Sequence, residues 1–146
     1  ELMLALLDDG RRRLVRTLDQ RMARADGAEA KVRAWIDGVL AQAADPRAAA
    51  RTRPFVNGEA RLAEMFPDEH RDSVALLVGL LLAPVAELAG AAGSPGATTR
   101  ARRDADAVYR LTFATLHDHL IAGEKPTKAT VDHLVDFAVH GIGGPG

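Results

Sequence analysis

PDEHRDSVALLVGLLLAPVAELAG, residues 67–90, is the stretch on which the fold turns. From Val74 to Ala92 the only charged residue is Glu87, so the segment approaches the roughly 20 apolar residues that a membrane span needs. Its make-up points elsewhere. Many of its residues are Ala or Gly, Pro84 interrupts the run, and no aromatic belt flanks it. A helix buried on all sides by other helices accounts for the pattern better. Pro67 suits a first helical turn, and Asp68 and Glu69 follow where the helix dipole favours acid. Pro84 leaves the Leu80 carbonyl without its usual donor, so a kink is expected that opens space beside Leu81 and Leu82. Glu87 is a candidate anchor for the polar end of a ligand, although its place near the helix end equally suits a solvent-facing residue.

Upstream, Met3, Leu7, Leu14, Leu18 and Met22 recur at spacings of four and seven, one face of a long helix. Gly10 sits on that stripe and costs about 1 kcal/mol relative to Ala, which makes it the point on the stripe where a bend or break could fall. Asp8 and Asp9 stand four residues before Arg12 and Arg13, the favourable order for ion pairs on a solvated face. Asp26-Gly27 closes this helix. A second runs from about Ala28 to Ala44, with Val32, Trp35, Ile36, Val39, Leu40 and Ala43 inward. Asp45-Pro46 opens a short helix that ends before Pro54. After an Asn57-Gly58 turn, a further short helix is expected over Glu59 to Phe66.

Downstream, the Gly, Ala, Ser and Pro between Gly90 and Thr99 read as a loop. Arg100 to Ala122 is amphipathic, with Val108, Leu111, Thr112, Thr115, Leu116 and Leu120 as its spine, and Gly123 ends it. Thr127, or Thr130 with a later start, caps a last helix carrying Val131, Leu134, Val135, Ala138, Val139 and Ile142. Nothing alternates with a period of two over strand length. The expectation is an all-α, single helical bundle of about six helices across residues 1–146.

Composition narrows the function. Of 146 residues 47% are apolar and 27% charged, an ordinary globular balance, and the formal net charge is −1. A free-standing nucleic-acid binder carries a basic surplus to neutralise phosphates. This chain has none, so any work on DNA needs residues outside it. The chain contains no cysteine, which removes disulfides, thiolate metal sites and a cysteine nucleophile, and fits a cytoplasmic setting. Glu1-Leu2-Met3 has no basic region leading into an apolar one. Because Glu1 is not a start methionine, it is expected to be an entry into a longer protein.

The order of parts resembles the regulatory domain of TetR-type transcriptional repressors. Two stretches carry most of the likeness. Glu1-Leu2-Met3-Leu4-Ala5-Leu6-Leu7 looks like the helix leaving the DNA-binding head, with residues 1–25 as the connecting helix. His133-Leu134-Val135-Asp136-Phe137-Ala138-Val139-His140-Gly141-Ile142-Gly143 looks like the closing helix of many members. The resemblance implies a homodimer formed through the last two long helices and a small hydrophobic effector bound between the earlier ones. It implies DNA contact only through an N-terminal helix-turn-helix outside this chain, and no membrane contact. By analogy the dimer contacts fall on Leu116, Leu120, Leu134, Phe137, Ala138 and Gly141. The pocket candidates are the larger apolar residues of the middle helices: Trp35, Phe55, Met65, Phe66, Leu81, Tyr109 and Phe113. Each of these also suits plain core packing.

Other chemistry has less to stand on. His133, Asp136 and His140 share one helical face near His117-Asp118-His119. Yet His133 and His140 lie about 10 Å apart along the axis, too far for one ion to bridge, so no metal or cofactor is expected. There is no Gly-rich phosphate loop, no Glu-x-x-His pair of the di-iron bundles, and no nucleophile elbow or zinc-protease signature. Asp68-Glu69-His70 reads as capping. No catalytic residue is expected. The competing reading is a helical interaction module that docks a partner protein and has no small-molecule pocket.

Overall fold

The computed structural model describes residues 2–90 and 96–143, with side chains for all of these except 3, 4, 7, 55–57 and 59. It is an all-α bundle: α1 (Leu2–Ala23), α2 (Ala28–Leu40) running into a 3₁₀ turn (Ala41–Ala43), α3 (Pro46–Met65), α4 (Pro67–Ala89), α5 (Ala97–Ala122) and α6 (Lys128–Gly141). Among the described residues there is no strand.

The centre of the bundle is α2. It touches α1, α4, α5 and α6, and Val32, Trp35, Ile36 and Val39 are wholly buried. The Trp35 indole N–H donates to the Leu77 carbonyl of α4 at 3.1 Å, which satisfies the one polar atom that burying Trp strands. The second half of α1 lies close against α2. A β-carbon at Gly38 would stand 2.5 Å from Leu18 Cδ2, so the missing side chain is what allows this approach. Leu18 and Met22 fill the contact.

Two expectations are corrected. The first concerns α3, which is one continuous helix from Pro46 to Met65 where the sequence predicts two short ones. Its start is strong: Pro46 occupies the first turn, and the Asp45 carboxylate accepts from the Ala48 N–H at 2.9 Å. Pro54 forfeits one backbone bond, but packing on α4 and α5 carries the helix through it. The Arg53 Nε–H also donates to the Leu120 carbonyl of α5 at 3.2 Å. Local breaker signals lose to tertiary contacts here.

The second correction concerns α4, which is not enclosed. Leu77, Val78, Leu81, Pro84 and Val85 are buried, whereas Ala75, Leu76, Gly79 and Ala83 are exposed. Only 28% of its most apolar 18-residue window is buried. Among the described residues it is the one helix long and apolar enough to cross a membrane. Glu87 is exposed and faces solvent.

The chain's end closes the bundle. Thr127 caps α6, its hydroxyl accepting from the Thr130 N–H at 3.1 Å. Asp132 on α6 bridges Arg33 on α2 at 2.8 Å and Lys128 at 2.9 Å. The Lys128 and Arg33 hydrogen bonds hold the Asp132 carboxyl below its ordinary pKa, and the Asp132 bond raises that of Arg33. Gly143, at φ +69°, sits so close to Ala89 of α4 that a β-carbon would stand 2.8 Å from the Ala89 Cα. Its N–H donates to the Asp104 carboxylate of α5 at 3.0 Å.

Candidate ligand cavity

The first half of α1, α3, the first half of α4 and the middle of α5 line a cavity of about 550 Å³ that opens to solvent along Leu6, Asp9, Gly10, Arg13 and Arg51. Helical spacing builds each wall. Leu6, Gly10 and Leu14 follow at intervals of four on α1, and Ser73, Val74 and Leu77 share a face of α4. From α5 come Tyr109, Phe113 and Leu116, and from α3 Arg51, Thr52 and Leu62. The volume suits a small organic molecule. Gly10 explains part of the space. The helix continues through it without a break, and among the described residues no atom outside its own turn of helix lies within 4 Å of where its β-carbon would be.

Behind the cavity lies an aromatic wall. The rings of Tyr109 and Phe113 stack at 4.6 Å, and Phe113 meets Trp35 at 6.2 Å with a 60° tilt. Its rim is polar. Arg11, whose side chain is 14% exposed, ion-pairs with Asp8 and donates from one terminal nitrogen to Ser73 Oγ at 2.5 Å and to the Glu69 carbonyl at 3.5 Å. Its buried Nε has no hydrogen-bond partner among the described residues. The Asp8–Arg12 and Asp9–Arg13 pairs read from the sequence are present at 3.1 and 2.7 Å.

No protein-family model, curated protein or solved structure matches the chain. The site must therefore be read from its own geometry.

Of the pocket candidates, Tyr109 and Phe113 line the cavity. Trp35 and Leu81 do not: both are wholly buried in the core, with Trp35 one layer behind Phe113. Phe66 is half-buried at the junction of α3 and α4, and Met65 is 57% exposed, neither lining the space. The Phe55 side chain lies outside the described residues. Leu6, Leu14, Leu62, Val74 and Leu77 complete the apolar lining, and none of them was among the pocket candidates. They are ordinary helix-face leucines and valines, and the space expected beside Leu81 and Leu82 from Pro84 lies elsewhere, since neither residue lines the cavity.

The interface candidates divide similarly. Leu116, Leu120, Leu134 and Ala138 are buried within the chain's own core, so they have no surface to give a partner. Leu116 also lines the cavity. Phe137 and Gly141 are exposed, and Leu111 and Ile121 of α5 are the exposed large apolar residues that the analogy passed over. Among the described residues no three His, Asp or Glu side chains form a group able to hold a metal ion. His133, Asp136 and His140 are exposed, and the His140 Nδ1–H donates to the Asp136 carbonyl at 2.7 Å. His117 faces the cavity instead.

Proposed function

We propose that this chain is the effector-binding and dimerisation domain of a TetR-type repressor, and that its own activity is binding rather than catalysis. The observation that carries the reading is the 550 Å³ cavity walled on one side by the opening helix α1. The second half of α1 is anchored on α2 through Leu18 and Met22, while its first half forms a wall of the cavity. A ligand pressing on Leu6, Gly10 and Leu14 then biases the end of α1 that would lead to the DNA-binding head. Dimer contacts would come from the outward faces of α5 and α6, through Leu111, Ile121 and Phe137, with Gly141 allowing close approach. The intact protein would work in the cytoplasm.

A second reading, a docking module for a partner protein, draws support from the exposed apolar face of α4 around Leu76, Gly79 and Ala83. One titration separates the two. A neutral lipophilic dye such as Nile red should bind saturably at one site per subunit. Gly10→Leu, which places a side chain in the open space and removes the glycine penalty of about 1 kcal/mol, should abolish that binding and leave a folded chain. Dye binding that survives Gly10→Leu and disappears with Leu76→Lys favours the docking module.

A further inference from the structure

We propose that the ligand of this cavity is an amphipathic organic anion, an acid group on an apolar body, and that Arg11 reads its charge; the inference rests on the cavity being the binding site. The charge around the cavity is opposite to that of the chain. Three arginines, Arg11, Arg13 and Arg51, line it against a single acid, Asp9, so the formal count is three positive minus one negative, or +2, in a chain of net −1. The one lining acid is already taken by Arg13. Asp8, outside the lining, is shared between Arg11 and Arg12. Arg51 makes no ion pair among the described residues. His70 and His117 add two further nitrogen donors to the same wall.

Arg11 is the decisive group. It is largely buried, its terminal nitrogens are engaged by Asp8, Ser73 and Glu69, and its Nε–H is left over. A buried donor without a partner is uncommon in a folded protein. That donor is already out of contact with water, and a neutral apolar ligand has no acceptor to pair it. A carboxylate supplies the acceptor, and the guanidinium's fixed fork suits it. The apolar body of such a ligand meets Leu14, Leu62, Val74, Leu77 and Phe113. The same guanidinium ties α1 to α4 through Ser73, so an anion bound to it engages the contact that positions α1.

The test is calorimetric titration of the whole chain at neutral pH with two matched pairs, decanoate against decanol and 1-naphthoate against 1-naphthol. At least one acid should bind tenfold or more tightly than its neutral partner, and which pair does so distinguishes an acyl from an aromatic body. Arg11→Gln should erase that preference while leaving the neutral partner's affinity within about twofold. If the variant does not fold, the parent chain still decides: the preference should shrink as salt is raised. Equal binding of acid and neutral partner overturns the anion inference and leaves the cavity reading intact. Failure of all four probes, with Nile red also unbound, overturns both.

Discussion

Two apolar helices of this molecule have different fates. α2 carries Trp35 and its neighbours at the meeting point of α1, α4, α5 and α6, and its core residues are closed to solvent. α4 has the longer apolar run and also touches four helices, α1, α2, α3 and α5, yet its outer face, with Leu76, Gly79 and Ala83, is exposed. Apolar content therefore does not rank helices by burial. What distinguishes α2 is a large residue at its centre, Trp35, opposite partners that can close around it, and a glycine, Gly38, that lets α1 approach. The outer face of α4 is built from small residues and one leucine, which leave little area for a neighbour within the chain to cover.

The largest expected effect sharpens that contrast. Trp35→Ala should destabilise the chain by about 3–5 kcal/mol, the range for deleting a buried aromatic. Leu76→Ala, on a half-exposed leucine, should stay within about 0.5 kcal/mol. Urea unfolding followed by far-UV circular dichroism measures both. Similar losses at the two positions would break the comparison, because the outer face of α4 would then be covered in solution.

The next effect sets one glycine against another. Gly38→Ala forces a carbon into Leu18 in a packed core, at about 1–3 kcal/mol for overpacking, against a gain of about 1 kcal/mol in helix propensity. The net change should be a lower melting temperature. Gly79→Ala meets nothing within 4 Å and should keep most of the propensity gain, raising it. Calorimetric scans of the two variants should move in opposite directions. A lowered melting temperature for Gly79→Ala would mean that a second molecule packs closely on α4.

The smallest effect is electrostatic. α2 is tied to α6 by Arg33–Asp132 but to α4 by the Trp35–Leu77 hydrogen bond, which has no titrating group. Because the folded state holds Asp132 below its ordinary pKa, its contribution is complete above that ordinary value and is lost as pH falls through the folded one. Stability should therefore fall as the pH drops below the ordinary carboxylate range of about 4, and less steeply in Asp132→Asn. Asp45, held down by the Ala48 N–H, titrates in both chains and cancels in the difference. Identical slopes for the two chains would remove the bridge from the account.

Helix ends were legible in the sequence because their signals are local. Asp45-Pro46, Pro67, Gly123 and Thr127 each act within a turn of themselves, and each marks a real boundary. The Pro54 and Asn57-Gly58 breaks failed because contacts from α4 and α5 outweigh local preference. The cavity was harder still. Periodicity says that Leu14 or Val74 faces inward, but whether it meets a neighbour or a void depends on what the opposite helix lacks. Trp35 and Leu81 looked like pocket residues because they are large and apolar, and those properties took them into the core instead. Leu116, Leu120, Leu134 and Ala138 were expected at an interface by analogy with the family, and they too are buried in the core. An apolar stripe fits a chain's own core as well as a partner's.

The central claim is that the cleft between α1, α3, α4 and α5, and not the exposed face of α4, is where this chain takes up a small molecule. Amide chemical shifts of the ¹⁵N-labelled chain, followed through a Nile red titration, test it most directly. The account predicts saturable changes clustered at Leu14, Leu62, Val74, Leu77 and Phe113, with Leu76, Gly79 and Ala83 unmoved. Changes clustered on Leu76, Gly79 and Ala83 with the cavity residues unmoved would contradict it.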